Sequence, residues 1–231
     1  MTNYEERLWE DRYWSSADGL KLHYRDYLPA SADGTQVLDE ARPVVLCLHG
    51  LSRNARDFDG LAPHLAHRGW HVLCPDLRGR GESDYAKEAS SYGPVQYVAD
   101  ILDLIRHEGL QKVVVIGTSL GGLLAMGLVQ EIPERIAGAV INDVGPWLEP
   151  AGMERIREYL GQGRSYPTWV HAARGIEDAH DGSHPDQPLD FWIRMAKRLM
   201  TLSSSGRVVF DYDMKIAEPV LDIDLADQPD L

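Results

Sequence analysis

A chain of 231 residues with 44% hydrophobic content is long enough to bury one sizeable core, so a single domain is the default. Its net charge of −13 and pI near 5.0 argue against nucleic acid or an anionic membrane as partner. No apolar run reaches the length of a membrane span, and Met1 to Arg12 carries no apolar stretch of a secretory signal.

Trp9 to Ser16 and Leu20 to Tyr27 read as an antiparallel pair turning at Asp18-Gly19. After a polar loop, Pro29 to Arg42, the Val44 segment is a buried strand that ends in His49-Gly50. Asp57 to Arg68 has helical spacing, with Phe58, Leu61 and Leu65 on one face. His71 to Cys74 is a short strand, and Val95 to His107 a helix with Val98, Ile101, Leu102 and Ile105 inward. The Lys112 strand, a helix from Leu120 to Gln130 and a strand from Ile136 to Asn142 complete an alternation of β and α. That order predicts a mostly parallel α/β sheet with helices on both faces. Ligands of such sheets bind beyond the carboxyl ends of the strands, where Leu51, Ser119 and Asp143 fall. Cys47 and Cys74 lie in predicted neighbouring core strands and read as buried free thiols of a cytoplasmic protein.

From Trp147 the pattern changes. Met153 to Leu160, Thr168 to Arg174 and Leu189 to Leu202 read as helices without core strands between them, which suits a helical cap. The expected division is a core over 1–146, a cap over 147–205 and a return segment over 206–231. Trp147, Tyr159, Trp169 and Trp192 are candidates to line a pocket under the cap, although most of the cap aromatics are expected to glue it to the sheet. Asp178 to His184 reads as a solvated loop.

The chemistry concentrates in Val113-Val114-Val115-Ile116-Gly117-Thr118-Ser119-Leu120-Gly121-Gly122, a buried strand stopping at a glycine-rich turn before a helix. In that context G-x-S-x-G sets a serine on a sharp turn, where Gly117 and Gly121 let its hydroxyl stand clear. Ser119 is the candidate nucleophile. A developing oxyanion needs two N–H donors, and the backbones of Leu120 and Leu51 are the candidates, the latter if Gly50 bends its loop over the strand ends. His49 is read as shaping that loop rather than as a base. A dinucleotide loop is excluded because Ser stands where G-x-G-x-x-G needs its second Gly. His64 and His67 read as solvated helix surface, and no metal or organic cofactor is implied.

With Asp76-x-Arg78-Gly79-x-Gly81-x-Ser83, these segments make three ordered motifs, the others being Leu48-His49-Gly50 and Gly117-x-Ser119-x-Gly121-Gly122. From about Trp9 to Val144 the chain resembles the α/β-hydrolase superfamily, in the branch of serine esterases, C–C hydrolases, lactonases and cofactor-free haloperoxidases. The resemblance implies a cap after the sixth strand, a base histidine after the last strand and an acid usually after the strand before it. Here the last histidine is His184, in the expected cap, and Val220 to Leu225 is the nearest approach to a further strand. The seventh and eighth strands are therefore expected to be missing, as in a C-terminally truncated hydrolase. Asp143 is a candidate acid or a loop-tying residue, and His171, His180 and His184 are the histidines left to substitute as base. Arg78 and Arg80 read as structural. An exposed sheet edge is expected to pair with a second copy. The expected activity is hydrolysis of a small carboxylic ester, lactone or related acyl compound, impaired in this chain. The rival is a non-catalytic hydrolase fold that binds a small apolar ligand or a partner chain.

Overall fold

Residues 8–29, 39, 41–180, 182 and 184–221 are described by the structure, a computed structural model of the chain. Strands β1 (Glu10–Ser15) and β2 (Lys21–Tyr27) pair antiparallel, Glu10 opposite Asp26 and Ser15 opposite Lys21. The turn between them needs Gly19, whose φ of +85° strains any L side chain. β3 (Val44–Leu48), β4 (Val72–Pro75), β5 (Val113–Thr118) and β6 (Ile136–Asn142) follow, giving the sheet order β1-β2-β4-β3-β5-β6. The last four strands run parallel to one another, and β2 meets β4 antiparallel.

Strand periodicity builds two cores. Leu46, Leu48, Leu73, Val113 and Val115 point to one face, against Ile101 and Leu104 of α2 (Pro94–His107) and Leu124 and Leu128 of α3 (Leu120–Glu131). Val45, Cys47, Val72 and Cys74 point to the other, against Phe58, Ala62 and Ala66. Cys47 and Cys74 are both free and buried.

The helix expected over Asp57 to Arg68 is broken: a short 3-10 turn, Ala55–Phe58, gives way at Gly60 to α1 (Leu61–Ala66). Its buried face is Phe58, Ala62 and Ala66, and Leu61 is exposed. The break at Gly60 resets the helical phase, which moves Leu61 off the inner face. In α2, Leu104 and Tyr97 are buried where the pattern pointed to Val98 and Leu102, which are only half-buried.

Beyond β6, helix α4 (Pro150–Tyr159) packs Met153 into the larger sheet core, joined by Leu160. Helices α5 (Trp169–His180) and α6 (Leu189–Leu199) build a separate cluster with a three-stranded antiparallel sheet. That sheet, ordered β7-β9-β8, consists of β7 (Ser165–Tyr166), β8 (Met200–Leu202) and β9 (Val208–Phe210). An all-helical reading of this region missed it, because two or three residues are too few to display a period of two. Met200 to Leu202 is thus strand rather than helix, and Asp178 to His180 is helix rather than loop. Val220 and Leu221 end a short helix, α7 (Ala217–Leu221), not a strand; residues 222–225 of that expected segment lie outside the described residues. Among the described residues β6 is the outermost strand on its side, with Val140 52% and Ile141 36% exposed.

Candidate active site

The loop after β4 is tied down by its own motif. The Asp76 carboxylate accepts the Ala55 N–H at 2.6 Å and the Glu82 N–H at 3.1 Å, and lies 2.7 Å from Nδ1 of the buried His23. A side chain at Gly81 would collide with that carboxylate. Ser83 donates its hydroxyl to the Asp76 carbonyl at 2.7 Å and accepts the His23 N–H at 2.9 Å. Burial alone would lower the His23 pKa, but the contacts with Asp76 and Asp11 outweigh it and hold the imidazole above its ordinary value. Burial likewise opposes ionisation of Asp76, yet His23 and the Ala55 N–H keep its carboxyl below the usual range. The fully buried Arg78 donates to Asp100 at 2.7 Å from both Nε and Nη2, and also pairs with Asp18. Arg78 is thus held in buried ion pairs, the kind of contact its loop position suggested.

That scaffold holds the neighbouring His49 loop. Arg80 donates Nε to the Leu51 carbonyl at 3.0 Å, and Nη1 to the Arg78 carbonyl and to the Tyr97 hydroxyl. His49 is fully buried, which pushes its pKa down to about 4. Its Nδ1 meets the Gly50 carbonyl at 2.8 Å and its Nε2 accepts the Leu77 N–H at 3.1 Å. With both nitrogens engaged and the ring neutral, His49 shapes the loop. The Leu51 N–H makes no hydrogen bond with the described residues.

Ser119 sits between β5 and α3 with φ +52° and ψ −118°, a strained conformation for a residue with a side chain. The turn closes because Gly117 and Gly121 have no Cβ: one at Gly121 would strike the Leu48 carbonyl, and one at Gly117 would strike Gly121. The Ser119 N–H donates to the Asn142 carbonyl at 2.9 Å, and its carbonyl accepts from Gly122 at 2.8 Å. Its hydroxyl makes no hydrogen bond with the described residues. As the first residue of α3, Leu120 has an N–H with no intrahelical acceptor. The structure therefore brings Gly50, Leu51, Ser119 and Leu120 to the carboxyl ends of β3 and β5; a Cβ at Gly50 would lie 3.7 Å from the Ser119 Cβ.

Other candidates fall elsewhere. Asp143 follows β6 with φ +57°, and its carboxylate is exposed, without a hydrogen bond or ion pair among the described residues, so it ties no loop. Trp192 is fully buried in the core of α5 and α6, edge-on to Phe191 at 5.1 Å, and is packing rather than pocket wall. Trp169 packs on the same cluster, and Trp147 is 55% exposed. His171 is exposed and bonded to the Thr168 hydroxyl, and His184 lies against Phe191 and Trp192. His180 is held below its ordinary pKa by burial, by Arg53 and by His184, and the Arg53 charge also reaches Tyr159. Sequence reasoning missed Arg53. Its Cγ would lie 3.3 Å from a Cβ at Gly50, beside Ser119, and the only hint was its place three residues after His49-Gly50. Among the described residues no group of three or more His, Cys, Asp or Glu could hold a metal, and no helix is long and apolar enough to cross a membrane.

This sheet, with a serine on a strained strand-to-helix turn at its centre, defines a class, and the chain belongs to the α/β-hydrolase fold family, whose model matches residues 43–174. A crystal structure of an α/β-hydrolase from Novosphingobium aromaticivorans is similar at 52% identity and a TM-score of 0.88, over 98% of this chain and 75% of that one. The 3-hydroxybutyrate-oligomer hydrolase of Cupriavidus necator is 44% identical over 124 residues, 53% of this chain and 42% of the relative. Lipase LipV of Mycobacterium tuberculosis is 30% identical over 142 residues, 62% of this chain and 51% of the relative. The chain thus spans about half or less of the length of these curated relatives.

Proposed function

We propose that this chain hydrolyses a small carboxylic ester, lactone or related acyl compound through Ser119 as nucleophile. The observation that supports it most is the strained Ser119 turn, with the N–H groups of Leu51 and Leu120 left without partners beside it. Buried polar groups are ordinarily satisfied, so donors kept free around a serine suit a charge that appears only during reaction. In the proposed cycle the Ser119 oxygen adds to the ester carbonyl, and the carbonyl oxygen becomes an anion held by the two amides. The tetrahedral adduct expels the alcohol, which leaves with the serine proton. Water then adds to the acyl-enzyme, releasing the carboxylic acid and restoring the hydroxyl. The relative named a 3-hydroxybutyrate-oligomer hydrolase makes short hydroxyacid esters the first substrates to try.

A second reading, a fold that binds without turnover, has its own support: no imidazole hydrogen-bonds the Ser119 hydroxyl among the described residues. A serine without a base keeps its ordinary alcohol pKa, and loss of a triad member lowers rate by about three or more orders of magnitude. A small fluorophosphonate separates the two. A covalent adduct on Ser119, absent in Ser119→Ala, supports the hydrolase; an unlabelled protein that binds ligand equally well with Ser119→Ala supports the binder. We further propose that a second copy pairs along β6, whose outer edge and Val140 are uncovered among the described residues. Light scattering should give a dimer, and a monodisperse monomer refutes the pairing.

A further inference from the structure

We infer that Arg53 is a receiver for a carboxylate carried by the substrate, so that the acyl compound taken at Ser119 is anionic. The inference rests on the reading of Ser119 as the reacting residue.

Arg53 closes the turn that carries Leu51: its N–H donates to the Gly50 carbonyl at 3.2 Å. The space that a Cβ on Gly50 would occupy touches the Arg53 Cγ at 3.3 Å and the Ser119 Cβ at 3.7 Å, so the arginine stem and the serine flank one point. The side chain is braced but not used up. Its Nε donates to both Asp57 oxygens, at 2.7 and 3.0 Å, while Nη1 and Nη2 make no hydrogen bond among the described residues. The pair is mostly buried, with side-chain exposures of 29% for Arg53 and 18% for Asp57. A guanidinium edge with two free nitrogens matches the two oxygens of a carboxylate.

The surroundings favour the same ligand. From the cap side, α4 brings Tyr159 and α5 brings His180 within reach of the Arg53 charge, and burial keeps both nearer their neutral forms. Asp57 is the carboxylate paired with Arg53, and it occupies only the Nε side. On a chain of net charge −13, a cation held with open donors beside the reacting residue stands out against the general field.

The test compares the p-nitrophenyl monoester of glutaric acid with neutral p-nitrophenyl valerate. The native chain should favour the anionic ester in kcat/KM. Arg53→Gln should lower that preference about tenfold or more, chiefly through KM, as expected for a lost charge-assisted hydrogen bond. Asp57→Asn breaks the same ion pair from the other side and should keep the preference or sharpen it. Equal losses on both esters in Arg53→Gln, matched by Asp57→Asn, would mean a loop brace and overturn the inference. Binding to Ser119→Ala gives a readout that needs no turnover: monomethyl glutarate should bind more tightly than dimethyl glutarate, and adding Arg53→Gln should erase the difference. Fluorophosphonate labelling without any charge preference sinks the carboxylate site and leaves the hydrolase. Charge-dependent binding without labelling keeps the site and removes the hydrolase.

Discussion

Two loops leave the carboxyl ends of β4 and β5, on either side of β3, and they treat their polar groups in opposite ways. In the loop from Asp76 to Ser83, the Asp76 carboxylate, Arg78 and the Ser83 hydroxyl all have partners, the buried Nη2 of Arg80 being the exception, and the segment Asp211 to Asp213 closes over it. The Gly81 N–H donates to the Asp211 carbonyl at 3.2 Å, the Asp213 N–H to the Gly79 carbonyl at 2.8 Å, and the Tyr92 hydroxyl to the Asp213 carboxylate at 2.7 Å. In the turn at Ser119, the hydroxyl and the adjacent N–H groups of Leu120 and Leu51 are left open, and the backbone is strained. Near-complete pairing, Arg80 Nη2 apart, goes with the loop that sets geometry, and the open groups of the Ser119 turn are those the proposed chemistry would use. Both are glycine-rich and polar, so composition alone does not tell them apart.

The contrast breaks most visibly at Arg78. Arg78→Ala strands Asp100, which is 1% exposed and whose carboxyl burial already raises against the pull of Arg78. Loss of one partner of a buried pair costs about 3–5 kcal/mol, so the urea midpoint should fall steeply. An unchanged midpoint would show that the loop is not the fold's anchor. At the Ser119 turn the corresponding change is Gly121→Ala, which drives a methyl into the Leu48 carbonyl and should cost about 1–3 kcal/mol or more. It should also reduce fluorophosphonate labelling, because relieving the clash moves Leu120 away from Ser119.

The saturated side also has a pH signature. Burial keeps His49 neutral with a pKa of about 4, while the unfolded chain takes up that proton below about pH 6.5. Its stabilisation is complete above that pH and declines as pH falls. His23 has the opposite sign: with its folded pKa raised by Asp76 and Asp11, its contribution is complete below about pH 6.5 and is lost as pH rises through the folded value. Asp76, held low, contributes fully above about pH 3.9 and loses this as pH falls through its folded value. Thermal stability from these three groups should peak near pH 6.5, and His23→Gln should flatten the alkaline side and also weaken the acid-side contribution of Asp76, which His23 helps to hold low. A profile unchanged by His23→Gln would remove the imidazole from the account.

Much of this was legible in the chain because it is written locally. Val113 to Ile116 followed by Gly117-x-Ser119-x-Gly121 gives strand, turn and helix in one run, and the hairpin at Asp18-Gly19 is as direct. Illegible parts depend on partners distant in sequence. The brace of Asp76 on His23 and Ala55, the docking of Asp211 on Gly81, and the closeness of Arg53 to Ser119 join residues that no periodicity links. The sheet of β7, β8 and β9 escaped because each strand is too short to show alternation. Trp192 looked like pocket wall because an aromatic in a helix reads the same whether its neighbours are ligand or protein.

The smallest effect tests the vacancy from the other direction. Ser119 holds φ +52°, a region that disfavours residues with a Cβ, and such strain costs about 1–3 kcal/mol. Ser119→Gly removes the Cβ that makes this conformation costly, though the freer unfolded chain cancels part of the gain. The net expectation is a stability rise of about 1 kcal/mol at most, read as a higher urea midpoint, with all labelling abolished. Asp143→Gly is the internal control: it has a similar φ of +57° on the next strand's loop, so it should give a comparable gain. If Asp143→Gly stabilises and Ser119→Gly destabilises, the serine is supporting the fold, and the division between a saturated loop and a vacant one fails at its centre.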